Sequence, residues 1–456
     1  LHYEGSFRGN TLSGAQNIQE EIYFRKTWNR NVDPYYNINH SLQNEDTFKH
    51  ATAKNTRLAL FDLTRRPIKI LSVSHNLNFE GAPLIKFSVD QYLHHQNHIT
   101  LHVLCLKVKN GPLGEYYSQA QIPIDIIDVT WNSNSGGYQR FQHEIRQYLR
   151  QGGFDLVYTN TLETFWAIEA AHAEGIPSVW NILESIDYYQ YFDEYQMDPR
   201  IRAIAKQTFV KANRHIFGSQ ATARLFQQYD HYGAGQIIYN NIHTREIETL
   251  RQVDKHRLKQ ELHVPSDKKI VSIIGTVCPR KGQLDFAKAA ADILRRRDDV
   301  CFYIVGVRHE AYLQPYLAQI HKVCAQQSRI VLIDETPEAL KYFRLSDIFV
   351  CASYNESFPI VTLEAMGFSL PIVTTPMFGV VEQIVDGKTG LFFEPGDIAA
   401  MQQHIEKLLD NPQLAKNLGM NARSVVTTNF SEQEMLEKYC RLMEIVACED
   451  VNQVEG

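Results

Sequence analysis

From Ile68 onward the chain alternates short apolar, β-branched runs with amphipathic stretches, and the alternation breaks off and restarts once, at Lys269. A run such as Ile68-Lys69-Ile70-Leu71-Ser72-Val73-Ser74 has the texture of a parallel strand buried on both faces. Further strands are expected at 98–105, 122–128, 156–159, 178–182, 215–218 and 236–239, with helices at 84–94, 138–150, 164–174, 201–213 and 220–228 between them. After Lys269 the strands fall at 269–275, 301–306, 330–333, 348–351, 371–374 and 390–393. The helices there fall at 283–297, 311–327, 337–345, 358–368, 379–385, 398–409, 411–426 and 433–446. Strands that alternate with helices form an open, mostly parallel sheet covered on both faces. Two such series predict an α/β protein of two Rossmann-like, doubly wound domains. Sheets of this kind bind ligands at the carboxyl ends of their strands, so the expected site is the cleft between the halves.

The domain reading is an N-terminal extension at 1–66, a first Rossmann-like domain at 67–243, and a linker with one helix at 244–268. A second Rossmann-like domain follows at 269–430, then a final helix and tail at 431–456. The extension is polar and rich in Asn, Tyr and Gln, with one candidate helix at 16–28 and a turn at Asp33-Pro34-Tyr35-Tyr36. It is too poor in apolar residues to bury a core alone.

Composition excludes several classes. Of 456 residues, 44% are hydrophobic and 21% charged, which suits a soluble globular chain. A net charge of −6 gives no global attraction to nucleic acid. No run of about 18 apolar residues exists to cross a membrane. The seven cysteines form no C-x-x-C pair and several lie in apolar runs, so buried free thiols in a reducing, cytoplasmic setting are expected. The first residue is Leu1 and no signal-peptide core follows, which reads as a fragment or a processed chain.

Two stretches carry chemistry. Glu356-Ser357-Phe358-Pro359-Ile360-Val361-Thr362-Leu363-Glu364 places two carboxylates across a loop-to-helix junction. With Pro359 in the first helical turn, the free N–H groups around Phe358, Ile360 and Val361 and the helix dipole would make a phosphate site. Glu364 would accept from ribose hydroxyls, and Glu356 would reach a sugar beyond the phosphates. By itself the stretch reads equally as a glutamate favouring a helix N-terminus. Gly275-Thr276-Val277-Cys278-Pro279-Arg280-Lys281-Gly282 directly follows the first strand of the second half. Its glycines allow close backbone approach, and Arg280 with Lys281 can neutralise a diphosphate. Alone, it also reads as a solvated basic turn.

In their order and spacing, several segments resemble the C-terminal half of family 4 retaining glycosyltransferases, which have the GT-B fold. They are the Pro279…Lys281-Gly282 loop, Leu345-Ser346-Asp347-Ile348-Phe349-Val350, the two-glutamate stretch, Glu364-Ala365-Met366-Gly367, Pro371-Ile372-Val373-Thr374 and Asp386-Gly387-Lys388-Thr389-Gly390-Leu391-Phe392. The resemblance implies that Arg280, Lys281 and Glu356 are the catalytic group. It implies that Gly275, Thr276, Phe358, Pro359, Ile360, Val361 and Glu364 bind the donor, with Asp334, Glu335 and Thr336 facing its base. The family often carries Arg where Thr276 stands, so Arg280 is expected to supply that charge.

The first half resembles the family through Ser74-His75-Asn76 and Glu80-Gly81-Ala82-Pro83, through Phe217-Gly218-Ser219, and through Tyr239-Asn240-Asn241-Ile242. His75, Gly81, Ala82 and Glu184 are the implied acceptor-side residues. Leu183-Glu184 stands where many members carry His before an acidic residue.

The implied activity is retaining transfer from a UDP- or GDP-linked sugar to a hydroxyl of a growing glycan or glycolipid. It implies no metal, no cofactor beyond the donor as co-substrate, and a final helix that returns to the first half. The alternative is a non-catalytic sugar-nucleotide-binding subunit of a tandem enzyme; another GT-B activity, an epimerase or a phosphorylase, is a further rival. His2-Tyr3-Glu4, Arg8-Gly9, Trp28 and Asp33-Pro34-Tyr35-Tyr36-Asn37 resemble the end of a family 2 glycosyltransferase domain, which implies such a domain upstream.

Other features have plain readings. His94, His95 and His98 straddle a helix end and a strand and are not expected to bind metal. The aromatic stretch Tyr188, Tyr189, Tyr191 and Phe192 reads as a loop that contacts an acceptor or packs inward. The basic stretch with Arg202, Lys206, Lys211 and Arg214 reads as a solvated face or a peripheral contact with anionic lipid.

Overall fold

A computed structural model describes residues 66–128, 135–195, 197–231, 233–242, 244–325 and 327–448. The helix expected at 16–28, the turn at Asp33 and the family 2 resemblance lie outside the described residues.

The first alternation forms strands β1 (Ile68–Ser74), β2 (Ile99–Leu106), β3 (Ile124–Ile127), β4 (Leu156–Asn160), β5 (Ser178–Ile182), β6 (Arg214–Phe217) and β7 (Gly235–Ile237). They join in the order β3-β2-β1-β4-β5-β6-β7, all parallel. Between them lie α1 (Gly81–His94), α2 (Leu113–Gln119), α3 (Ser135–Gly152), α4 (Phe165–Ala173), α5 (Tyr188–Glu194), α6 (Pro199–Gln207) and α7 (Gln220–Phe226). After α8 (Thr244–Arg251) and α9 (Lys255–Glu261) the second series supplies β8 (Lys269–Ile274), β9 (Val300–Val307), β10 (Ile330–Asp334), β11 (Ile348–Cys351), β12 (Ile372–Thr374) and β13 (Leu391–Phe392). These join in the order β10-β9-β8-β11-β12-β13, again all parallel. The helices are α10 (Gln283–Leu294), α11 (Gln314–Cys324), α12 (Ala339–Leu345), α13 (Ile360–Gly367), α14 (Val380–Gln383), α15 (Ile398–Asp410), α16 (Pro412–Asn429) and α17 (Glu432–Ala447).

Both sheets reverse strand order at the corresponding place, between β1 and β4 and between β8 and β11. Connections leave on opposite faces there, which opens a crevice at the carboxyl ends. Register puts Ile70 between Leu101 and Leu156, and Val271 between Phe302 and Ile348. Each sheet is therefore apolar through its centre, as two covered faces require.

One face of the first sheet buries Phe141, Trp166, Trp180, Tyr188 and Phe192. The other buries Val89, Leu101 and Leu156 together with Tyr439 and Met443 of α17. The last helix thus returns to the first half, where it packs on α1, β4 and β5, with the Tyr158 and Tyr439 rings 6.1 Å apart.

Within that core lies a fully enclosed ion pair. Lys86 Nζ is 3.4 Å from Asp90 Oδ2, and neither side chain is exposed. Asp90 also accepts from Ser72 Oγ at 2.5 Å and from Tyr117 OH at 2.8 Å. Lys86 donates to Ser72 and lies 4.2 Å from the Tyr158 ring centroid. Burial lowers the Lys86 pKa against the pull of Asp90.

Three expectations need correction. Residues 244–268 hold two helices rather than one, and Ile247, Leu258 and Val264 join the second core. Their apolar residues are too sparse among charges to show a helical stripe. Residues 188–194 are a helix rather than a loop, because Asp187 caps it by accepting from Tyr189 and Gln190 amides. Tyr188 and Phe192 are buried by it, which removes them as acceptor contacts. Pro359 is the N-cap of α13 and not in its first turn, since its ψ of 124° is extended. No helix among the described residues is long and apolar enough to cross a membrane.

Candidate active site

The mouth of the second sheet gathers the residues singled out after β8 and β11. Pro279–Lys281 form one turn of 3-10 helix, closed by Gly282 at φ 73°. A Cβ at Gly282 would come 2.1 Å from the Ala352 carbonyl oxygen, so only glycine lets this loop meet the end of β11. The approach is fixed by the Tyr354 N–H donating to the Arg280 carbonyl at 2.8 Å. It brings Lys281 Nζ within 2.7 Å and Arg280 Nη1 within 3.3 Å of Glu356 Oε1. Ser353 Oγ donates to the same oxygen at 3.0 Å.

Glu356 is 8% exposed, whereas Arg280 is half exposed to the cleft. Burial opposes ionisation of Glu356, but Lys281 and Arg280 outweigh it and hold the carboxyl below its usual range. Glu356 in turn raises the Arg280 pKa. Gly275 lies beside the Lys281 stem: a Cβ there would meet Lys281 Cδ and Nζ at 3.8 Å. The Thr276 carbonyl accepts from Gln283.

Helix α13 starts at Ile360 without a side-chain cap. Its free amides belong to Ile360, Val361 and Thr362, while the Phe358 and Pro359 carbonyls accept from Asn240 and Gln383. Glu364 lies half-buried on the second turn. The start of α1 also lacks a side-chain cap, and it abuts α13: a Cβ on Gly81 would lie 3.4 Å from Ile360 Cδ1. Two helix N-termini, each with its positive dipole end, therefore meet where the halves face each other.

Arg308, at the end of β9, spans the same seam. It donates to Glu80 of the first half and Glu335 of the second, both at 2.5 Å, and its Nε is buried without a partner. These two hydrogen bonds outweigh burial and raise the Arg308 pKa, while Glu80 is held below its usual range. A hollow of about 320 Å3 opens here, lined by Asn78, Arg308, His309, Glu310, Asp334 and Glu335. Asp334 is exposed and pairs with His309 at 3.0 Å. Thr336 is not among the residues that line the hollow, and its Oγ1 accepts from the Glu338 amide. Sequence reasoning missed Arg308, although its place directly after a central strand of a doubly wound sheet was the available signal.

At the mouth of the first sheet His75 follows β1, with Nδ1 buried and unpartnered and its pKa lowered by burial. The Ala82 carbonyl accepts from Asn160 at 3.4 Å. Glu184 follows β5; its two oxygens accept from the Leu162 and Leu183 amides, yet burial pushes its pKa up to about 7. The seam is also tied by Asn355 donating to the Ser185 carbonyl at 3.1 Å. Glu382 accepts there from the Gln220 and Ala221 amides and from Tyr239 OH.

The remaining charged features have local partners. Lys206 and Arg202 pair with Asp193, and Lys211 with Glu169, so this stretch is no open basic patch. His98 pairs with Glu444 beside Cys440 rather than with His94 or His95. The seven cysteines are free thiols.

Comparison with known proteins fits this geometry. Residues 91–246 match the domain described as Glycosyltransferase Family 4, and residues 254–425 match Glycosyl transferases group 1. The capsular polysaccharide biosynthesis glycosyltransferase CapM of Staphylococcus aureus is 24% identical over 260 residues, which is 56% of this chain and 66% of CapM. The N-acetyl-alpha-D-glucosaminyl L-malate synthase of Bacillus anthracis is 27% identical over 48% of this chain and 55% of its own length. The chain thus spans little more than half to two thirds of these relatives. Anabaena HepE in complex with UDP-glucose superposes over 83% of this chain and all of its own, with a TM-score of 0.70 at 19% identity. A family 4 segment is thus followed by a group 1 segment, each on its own parallel sheet, so the chain carries two glycosyltransferase-type segments on a GT-B fold.

Proposed function

We propose that the chain is a retaining glycosyltransferase that moves a sugar from a UDP- or GDP-linked donor to a hydroxyl of a growing glycan or glycolipid. The observation that carries this reading is the convergence of Lys281 and Arg280 on buried Glu356, beside the uncapped start of α13. The CapM similarity and the UDP-glucose held by HepE support the donor and product classes.

Without donor, Glu356 keeps both cations aimed at one point. In this reading the donor diphosphate takes over the cations, and Glu356 turns to hydroxyls of the transferred sugar. As the anomeric C–O bond breaks, charge builds on the β-phosphate. Arg280, Lys281 and the Ile360 and Val361 amides, already aimed at that point, stabilise it. Gly275 and Thr276 leave room for the diphosphate. Phe358 and Pro359 set the start of α13, Glu364 holds the ribose, and Asp334, Glu335 and Thr336 border the base. The acceptor oxygen attacks the face the nucleotide leaves, and its proton passes to the departing phosphate oxygen. Protein cations fill the place a divalent metal would otherwise take. On the acceptor side His75, Gly81, Ala82 and Glu184 line the approach.

The test is product stereochemistry by NMR after turnover of a nucleotide sugar from a UDP and GDP panel. The anomeric configuration of the donor should persist in the product, and an inverted product would overturn the reading.

A further inference from the structure

The amino end of β2, at the edge of the first sheet turned away from the cleft, holds a cluster that sugar transfer leaves unused. His98 stands directly before β2, and Cys440 and Glu444 stand on α17. Their four-residue spacing puts Cys440 and Glu444 on one face of the helix, a turn apart. His98 Nε2 lies 2.7 Å from Glu444 Oε1, and Cys440 Sγ donates to the same oxygen at 3.2 Å. An imidazole nitrogen, a thiol sulfur and a carboxylate oxygen thus lie within 4.8 Å of one another. Each element is anchored separately: the Ile68 amide donates to the His98 carbonyl at 2.9 Å, and Tyr439 and Met443 seat the same turns of α17 in the core.

The cluster has no fixed cation of its own. Among the described residues Glu444 pairs with His98 and with no Lys or Arg, and Lys438 of α17 is taken by Glu434 at 2.7 Å. The charges that act on neighbouring Tyr92 come from Cys440, Glu437 and Glu444, all of them acidic. Burial, with Glu444 beside it, pushes the Cys440 thiol up to about 12. Cys440 is buried and Glu444 mostly covered, whereas His98 is 40% exposed, so an ion can enter from the His98 side. Tetrahedral zinc, with bonds of about 2.0–2.3 Å, sets its ligand atoms roughly 3.3–3.6 Å apart. The separations here bracket that value, so small side-chain rotations suffice to admit the ion.

We propose that His98, Cys440 and Glu444 bind a thiophilic divalent cation of the zinc type, which clamps α17 to the first half. One nitrogen, one sulfur and one oxygen donor make a mixed set that zinc accepts and that magnesium and calcium, which require oxygen ligands, do not. As the ion binds, the thiol proton leaves to solvent and sulfur binds as thiolate. Neutral His98 gives its Nε2 lone pair and Glu444 a carboxylate oxygen, and water fills the fourth position. The ligands of a doubly wound sheet gather at the carboxyl ends of its strands, and this site lies at an amino end. It therefore ties two elements together and takes no part in sugar transfer.

The test uses the full chain without a histidine tag, kept reduced and stripped of metal by EDTA dialysis. Titration with Co2+ should give a near-ultraviolet thiolate-to-cobalt band together with the visible bands of four-coordinate cobalt, and Zn2+ should displace them. The thiolate band should vanish in C440S and persist in C324S, whose cysteine lies in the second half. Calorimetry with Zn2+ should show affinity falling at least tenfold in H98Q and in C440S. Zn2+ at about a hundredfold excess over its Kd should raise Tm by roughly 2–5 °C in the parent chain and not in H98Q, and Mg2+ should leave both unchanged. H98Q alters a partly exposed side chain, so it keeps the test decisive where C440S fails to fold. A parent chain that gives no thiolate band, or an H98Q chain that binds Zn2+ as tightly as the parent, overturns the site.

Discussion

Two lysine–carboxylate pairs, one in each half, show how similar groups serve different ends. Lys86 and Asp90 are closed off from water, and Ser72, Tyr117 and the Tyr158 ring complete their contacts. Lys281 and Glu356 lie at a mouth, with half-exposed Arg280 sharing the carboxylate and an uncapped helix start alongside. The first pair has no room for another partner. The second has a partner, Arg280, half open to solvent and so within reach of a ligand anion. Enclosure and not pairing separates a structural ion pair from a site.

The contrast breaks most readily at the enclosed pair. Lys86→Met leaves Asp90 charged and buried, which should cost ~3–5 kcal/mol by denaturant unfolding. The kinetic constants of the molecules that remain folded should not change; a selective loss of turnover would give the enclosed pair a role in the chemistry. Lys281→Ala should do the reverse, with kcat falling roughly 100- to 1,000-fold and Tm moving only a few degrees. Near-native turnover would remove Lys281 from the mechanism.

Smaller effects sharpen the comparison. Glu382→Ala deletes an acceptor for two helix-start amides across the seam, so a loss of about 1 kcal/mol is expected. No change in stability would show the seam to be held elsewhere. Glu184 and Glu356 should differ in pH dependence. The Glu356 pKa is depressed, so its contribution to stability is present above the usual carboxylate range and is lost only as pH falls through the depressed value. The Glu184 pKa is raised to about 7, so the folded state keeps a proton the unfolded state has shed, and stability declines as pH rises from about 4.5 through 7. Tm measured from pH 5 to pH 8 should therefore fall less for Glu184→Gln than for the parent chain. Parallel curves would place the Glu184 carboxyl in a more ordinary environment.

Much of this was legible in order along the chain, and less in what meets across it. A uniformly apolar strand such as β11 announces itself because both its faces are buried. The charged stretch 244–268 concealed two helices, since a single apolar anchor such as Ile247 in α8 makes no stripe. The Arg280-Lys281 and Glu356 segments carried a recognisable spacing, and their meeting depends on Gly282 fitting against Ala352. Arg308 and Glu382 escaped notice because each meets a partner far along the chain, Arg308 meeting Glu80 across 228 residues and Glu382 meeting Gln220 across 162. No local pattern encodes such pairs.

The place of α17 has a consequence for how the molecule is made. Tyr439 and Met443 complete the face of the first sheet that Val89 and Leu156 begin. On the ribosome, that face must wait until nearly every other element has emerged. The first half should hold an exposed apolar surface throughout synthesis, a window for chaperones and for misassembly. A chain cut before Glu432 would keep that window open for good.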